Sequence, residues 1–173
     1  MIQGKTVLAV IPARSGSKRC PGKNFRDFRG KTLVEWALWA ASGSMYIDRI
    51  IVSKDEDRPP ELCTDEATCE DVIRHHAATA PHDVMVLLQP TSPLRLTEDI
   101  DGCIEKAQGS WGCISTLHGK TNGAVYVADW EWLKDHNFNH AGLAKYEMPE
   151  SRSLDINYPE DFDAPPTKAD TSS

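Results

Sequence analysis

The sequence predicts an α/β fold built on a mostly parallel sheet, and two observations carry that prediction. Short apolar runs alternate with segments of helical periodicity along the chain, the pattern of strands joined by crossover helices. Polar loops rich in glycine, proline and hydroxyl side chains also leave the first and third apolar runs directly, where an open parallel sheet places its ligands. Strands are predicted at about 5–12, 49–53, 84–89, 113–117 and 123–128, and helices at about 32–42, 66–79, 97–108 and 129–135. Lys5-Thr-Val-Leu-Ala-Val-Ile-Pro12 reads as a buried parallel strand. The first helix, Leu33 to Ala41, is apolar on nearly every face and needs cover on two sides, from another layer or a second subunit. Thr97 is placed to cap a helix beginning around Glu98.

A chain of 173 residues is long enough for one domain with one substantial core, assigned here to residues 1–163. The tail at 164–173, rich in Pro, Thr, Ser and Asp, reads as disordered and dispensable. A net charge of −7 argues against a general binder of nucleic acid or of anionic membrane. With neither a membrane-length apolar run nor a signal-peptide pattern, the expectation is a cytoplasmic protein. The five cysteines include no C-x-x-C pair and read as reduced, half-buried residues. His75-His76, His136 and His140 are read as structural or solvent-facing, and no histidine metal site is assigned.

Against this acidic background, the basic loop Ile11-Pro-Ala-Arg-Ser-Gly-Ser-Lys-Arg-Cys-Pro-Gly-Lys-Asn24 is a local exception. Ser15, Gly16 and Ser17 let backbone N–H groups converge on an anion, while Arg14, Lys18, Arg19 and Lys23 supply charge. Such a loop suits a nucleoside triphosphate, although it matches neither G-x-x-x-x-G-K-[ST] nor G-x-G-x-x-G. A second motif, Leu87-Leu-Gln-Pro-Thr-Ser-Pro-Leu-Arg95, runs out of the third strand into Gln89, Thr91, Ser92 and Arg95, with two prolines fixing the turn. In a third, Asp155 and Asn157 alternate with Leu154 and Ile156, so an extended chain would send both oxygen-bearing side chains to one face. Two hard oxygen donors on one face suit Mg²⁺ that keeps several waters and bridges phosphates.

In this order these motifs resemble the N-acylneuraminate cytidylyltransferase (CMP-sialic acid synthetase) family. The resemblance runs over about residues 5–163 and adds Arg58-Pro-Pro-Glu-Leu-Cys-Thr-Asp-Glu-Ala67, Asn122-Gly-Ala-Val-Tyr126 and Arg152-Ser-Leu-Asp-Ile-Asn157 with Pro159-Glu-Asp-Phe162. It implies a single three-layer, Rossmann-like nucleotidyltransferase domain. The implied reaction is attack of an acidic sugar's anomeric hydroxyl on the α-phosphorus of CTP, giving a CMP-sugar and pyrophosphate. By the same resemblance Arg14 and Lys18, with the Ser15–Ser17 backbone and Ala13 beside it, stabilise the triphosphate and the leaving pyrophosphate; Lys23 and Asn24 position the same group. Arg58, Ala67, Thr68 and Cys69 face cytosine and ribose, and Gln89 holds the sugar together with Thr91, Ser92, Arg95 and Asn122. Asp155 is the implied Mg²⁺ ligand, with Asn157 beside it, and the implied partners are CTP, an acidic sugar and a second copy of the chain.

Two residues depart from the family pattern. Asn157 stands where a second aspartate is expected, and Cys69 stands where serine is frequent. By the same resemblance the chain is short between Asp57 and Arg58, where a helix and short strand are expected, and between Ser115 and Asn122, where sugar-contacting basic residues and a subunit-contacting extension are expected; Lys120 is the basic residue left in the second gap. These departures leave two other readings open: a CTP-binding module without acceptor chemistry, and a cytidylyltransferase for a smaller acidic acceptor.

Overall fold

The computed structural model describes residues 1–16, 20–64 and 66–164. The tail expected to be disordered lies outside the described residues from 165 onward, as do Ser17, Lys18 and Arg19 of the basic loop.

Six strands form one sheet in the order β4-β1-β5-β7-β6-β8. They are β1 (Val7–Pro12), β4 (Arg49–Ser53), β5 (Val84–Leu87), β6 (Gly112–Leu117), β7 (Lys120–Asp129) and β8 (Ala144–Glu147). A two-stranded hairpin, β2 (Asp27–Phe28) and β3 (Lys31–Thr32), precedes helix α1 (Leu33–Ser42). The other helices are α2 (Cys69–Thr79), α3 (Thr97–Lys106) and the short α4 (Trp130–Leu133).

β1 pairs in parallel with β4 and β5, and β6 with β8, as an α/β fold requires. β7 runs antiparallel to both neighbours. The cause is local: Leu117 pairs with Lys120 across a two-residue turn whose residues, His118 and Gly119, have φ of 50° and 75°. Positive φ at both central residues is the signature of a tight hairpin, so the chain doubles back instead of crossing over.

Side-chain alternation along the strands separates two apolar cores. Val7, Ala9, Ile11, Val84 and Val86 face α1 and α3, whereas Leu8, Val10, Met85 and Leu87 face α2 and α4. Strand residues buried on both faces account for the near-continuous apolar runs in the sequence.

The helix boundaries follow from their caps. The Thr68 hydroxyl accepts the Asp71 N–H at 3.1 Å while the Asp71 carboxylate accepts the Thr68 N–H at 2.9 Å, so α2 begins at Cys69 and not at 66. The expected Thr97 cap is corrected. Thr97 is inside α3, where its hydroxyl donates to the Ala40 carbonyl at 2.8 Å and ties α3 to α1; the helix start is held by the Asp99 carboxylate, which accepts the Leu96 N–H at 2.9 Å.

Among the described residues α1 is covered on one side, which leaves its second side for the other cover the sequence allowed. Leu33, Val34, Ala37, Ala40 and Ala41 are buried, but Trp39 is 52% exposed and Leu38 lies at the surface. The sequence reading also missed β8, whose Ala144-Lys-Tyr-Glu147 alternates half-buried and exposed residues at the sheet edge.

Among the described residues no helix is long and apolar enough to cross a membrane, and the five cysteines are free thiols.

Candidate active site

The chain leaves β1 toward β4 on one side and reaches β5 on the other side of β1, so the loops beyond these strands part and open a crevice. Three loops meet there: 13–24 after β1, 54–68 after β4 and 88–96 after β5. A cleft of about 250 Å³ lies between them.

Arg14, Lys23 and Asn24 line this cleft from the first loop. The Arg14 guanidinium donates to the Thr64 carbonyl at 3.1 Å, and Asn24 donates through Nδ2 to the Arg14 carbonyl at 2.9 Å, which fixes the backbone that carries Arg14. Lys23 Nζ lies 3.3 Å from the Ile156 carbonyl and links the loop to the segment bearing Asp155. Ala13, Ser15 and Gly16 do not line the cleft. Ala13 is buried and donates its N–H to the Ser53 carbonyl at 2.7 Å, while Ser15 gives both its N–H (2.9 Å) and its hydroxyl (2.5 Å) to Asp55. The Ser15 N–H, expected to meet a phosphate, is thus held by a carboxylate.

Asp55 is the residue that sequence reasoning missed. It also accepts from Arg58 Nη2 at 2.9 Å, so one carboxylate ties the loop after β1 to the loop after β4. Burial by itself raises its pKa, but the two Ser15 hydrogen bonds and the charges of Arg58 and Arg14 outweigh that, and the carboxyl sits below its usual value. Arg58 itself is largely turned inward: Nε donates to the Lys54 carbonyl at 3.0 Å and Nη1 reaches the Leu62 carbonyl at 3.4 Å. It reaches the cleft wall as an organiser of the loop.

The far wall carries Ala67, Thr68 and Cys69 with Leu62 and Val72, a half-apolar surface suited to a flat base. Burial pushes the Cys69 thiol above its usual pKa, and Gln89 Nε2 stands 3.8 Å from its sulfur. Behind this wall, buried His76 on α2 meets the Ser53 hydroxyl at 2.7 Å. Burial, then the neighbouring His75, lower the His76 pKa, so the unfolded chain takes up the proton first as pH falls. The stability held by neutral His76 is therefore complete above about pH 6.5 and is lost as pH drops from there toward the lowered folded value. Urea unfolding between pH 7.5 and 5.5 should show this loss in the native chain and a smaller one in His76→Asn.

Gln89, Thr91, Asp155 and Asn157 complete the cleft. Gln89 and Asp155 also line a second, open groove of about 620 Å³ together with His118, Lys120, Thr121 and Asn122. The two spaces therefore share a wall. Asn122 is fixed by accepting the Ser115 hydroxyl at 2.6 Å and donating to Ser153 at 3.0 Å. Burial pushes the Tyr126 phenol, in the same groove, up to about 12, so it is protonated at neutral pH.

Asp155 and Asn157 do not lie on a strand, but their side chains meet as the alternation required: Asn157 Nδ2 donates to Asp155 Oδ2 at 2.7 Å. Asp161 accepts the Asn157 and Tyr158 N–H groups at 2.7 and 2.8 Å and fixes this turn. Asp155 is exposed and is the one carboxylate among the described residues lining the cleft, whose other charged groups are Arg14, Lys23 and Arg58. A carboxylate and an amide oxygen form a hard donor set that fits Mg²⁺, although no group of three acidic, histidine or cysteine ligands exists among the described residues.

Arg95 and Ser92 are corrected. Neither lines the cleft or the groove. Arg95 is 2% exposed and donates through Nη1 to the carbonyls of Gln89 at 3.0 Å and Ala124 at 2.5 Å; Ser92 is buried beside it in the same turn.

The N-acylneuraminate cytidylyltransferase of Escherichia coli O18:K1:H7 is 34% identical over 212 aligned residues, covering 91% of this chain and 50% of that protein. A CMP-N,N'-diacetyllegionaminic acid synthase of Legionella pneumophila is 37% identical over 120 residues, 57% of this chain and 52% of that one. The chain thus spans about half the length of the curated relatives it matches. The first alignment is longer than the 173 residues of the chain, so internal segments of that relative have no counterpart here. Among solved structures, the CMP:2-keto-3-deoxy-manno-octonic acid synthetase complexed with CTP superposes with a TM-score of 0.64 at 15% identity, covering 83% of this chain and 90% of that one, which establishes the shared fold. The family model described as cytidylyltransferase matches residues 8–147, from β1 to the end of β8, and so takes in the strands whose loops form the cleft: the chain belongs to the cytidylyltransferase family.

Proposed function

We propose that this chain transfers CMP from CTP to the anomeric hydroxyl of an acidic sugar, a sialic acid or related nonulosonic acid, with Mg²⁺ as cofactor. The observation that carries this reading is the shared wall: a basic cleft and an open polar groove meet at Gln89 and Asp155. A reaction between two bound molecules needs two adjoining spaces.

CTP occupies the first cleft, its base against Leu62, Val72 and the Ala67–Cys69 segment and its phosphates toward Arg14 and Lys23. The acceptor lies in the groove, where Lys120 and Asn122 can meet its carboxylate and hydroxyl groups and Gln89 aligns it with the nucleotide. A bond forms between the acceptor oxygen and the α-phosphorus, the bond from that phosphorus to the pyrophosphate oxygen breaks, and the hydroxyl proton leaves to solvent. Arg14 and Lys23 offset the charge that gathers on the leaving pyrophosphate. Asp155, with Asn157, would hold Mg²⁺, which neutralises phosphate charge when bound.

The groove bordered by the short His118–Gly119 turn is open to solvent on one side, so it admits a nine-carbon acid as well as a compact acceptor. The exposed Trp39 and Leu38 on α1 support a second copy as the partner that covers this helix.

A phosphorus NMR time course with CTP, Mg²⁺ and a panel of acidic sugars tests the reaction, with UTP and ATP as controls. CMP-sugar and pyrophosphate signals from CTP alone are the expected result. CTP resonances that shift without product would leave a nucleotide-binding module, and unperturbed CTP would remove the reading of the cleft.

Asn157 adds a quantitative test. In Asn157→Asp a second carboxylate replaces an amide that now donates to Asp155, so metal binding strengthens at the expense of repulsion between the two acids without metal. The Mg²⁺ concentration for half-maximal activity should fall about tenfold. An unchanged requirement would place the metal elsewhere.

A further inference from the structure

Arg95 is a buried cation whose described side-chain hydrogen bonds all go to two backbone carbonyls. Nη1 bridges Gln89 and Ala124, while Nε and Nη2 donate to no described residue. Burial, opposed by the nearby Asp99 charge, lowers its pKa only to about 10, so it stays charged at neutral pH. A buried charge is costly, and methionine would fill the same volume without that cost. The bridge therefore calls for a reason beyond packing.

The register of β5 and β7 supplies one. Their ladder ends at Leu87↔Tyr126, and two residues further on Gln89 would stand opposite Ala124. The ladder does not continue, because the Ala124 N–H, which would face Gln89, is turned to the Asn122 side-chain oxygen at 3.2 Å. Two carbonyls are left across a splayed strand end, both needing a donor. Arg95 supplies it from one nitrogen, at the point where Gln89 on one side and Asn122 and Gly123 on the other border the open groove.

We infer that Arg95 is a positioning residue that holds β5 and β7 apart at a set distance, so that the Gln89 and Asn122 walls of the groove stand at the width the acceptor needs. The inference rests on the proposed function for its acceptor, and on the geometry alone for the spacing. It separates the two substrates by degree: loss of Arg95 frees both the Gln89 and the Asn122 walls of the groove, while the nucleotide cleft is touched only along its Gln89–Thr91 edge and keeps the loops that Asp55 and Arg58 organise.

The test uses Arg95→Met and Arg95→Lys in the full chain, each first checked for folding by circular dichroism. With N-acetylneuraminate as acceptor, Arg95→Met should raise its KM about tenfold, with Arg95→Lys between it and the native chain. CTP affinity measured without acceptor should change less than about twofold. Amide hydrogen exchange should speed up at Leu87 and Tyr126, the last pair of the β5–β7 ladder, and stay unchanged along β4. An unaltered acceptor KM, or an equal loss for CTP, overturns the inference. If Arg95→Met fails to fold, Arg95→Lys carries the same readouts. If the native chain makes no CMP-sugar, the proposed reaction fails. The spacing role is then decided by exchange and by the Gln89 and Asn122 side-chain amide resonances. Shifts confined to these support it, and unmoved resonances overturn it.

Discussion

Asp155→Ala is expected to lower turnover by about two to three orders of magnitude while leaving the fold intact. Both halves of that expectation come from its surroundings. The side chain is exposed, and its one described hydrogen bond is from Asn157 Nδ2, so its removal should alter stability by no more than about 0.5 kcal/mol. Yet it is the single carboxylate among the described residues of a cleft charged by Arg14, Lys23 and Arg58, and it sits on the wall shared with the groove. Asp155→Asn keeps the shape and removes the charge, so it should lose nearly as much turnover and regain part of it at high Mg²⁺. Steady-state rates with CTP titrated separately give the comparison. Turnover within threefold of native in both variants would place the metal ligand elsewhere.

What the sequence disclosed and what it withheld differ in kind. Residue chemistry was legible. A basic loop after a buried strand, a Gln-Pro-Thr turn after another, and Asp155 and Asn157 two apart are patterns of composition and spacing, and Arg14, Lys23, Gln89, Thr91, Asp155 and Asn157 all reach one cleft. Direction was not legible. Arg95 and Arg58 look like ligand cations in the sequence, but whether a guanidinium turns to solvent or to backbone carbonyls depends on where neighbouring strands end, which no local pattern encodes. Asp55 was hidden for the opposite reason, since an Asp-Glu-Asp run reads as a solvated turn. The signal that could have found it was the demand side: a Ser-Gly-Ser loop needs acceptors as well as donors. β8 escaped notice because an edge strand of half-buried and exposed residues carries little hydrophobic periodicity.

Removing Asp55 should cost both stability and CTP affinity, which no other carboxylate among the described residues of the site is placed to do. Asp55→Ala leaves the Ser15 N–H and hydroxyl without their acceptor and leaves Arg58, whose side chain is 2% exposed, without its counter-charge. The exposed Ser15 groups can turn to water, but the buried guanidinium cannot. Because Asp55 is itself 34% exposed, the loss is below that of a fully buried pair, about 1–3 kcal/mol. The loop bearing Arg14 is then no longer tied to the loop bearing Arg58, and CTP affinity should fall about tenfold. Acid should reproduce the effect. The folded-state pKa of Asp55 lies below its usual value, so its contribution is complete above about pH 3.9 and disappears as pH falls through the lowered folded value. Urea midpoints measured from pH 6 to pH 2.5 should show an acid loss in the native chain that Asp55→Asn lacks, since the amide does not titrate. Parallel acid profiles for the two proteins would assign the loop's anchorage to hydrogen bonds that survive without the charge.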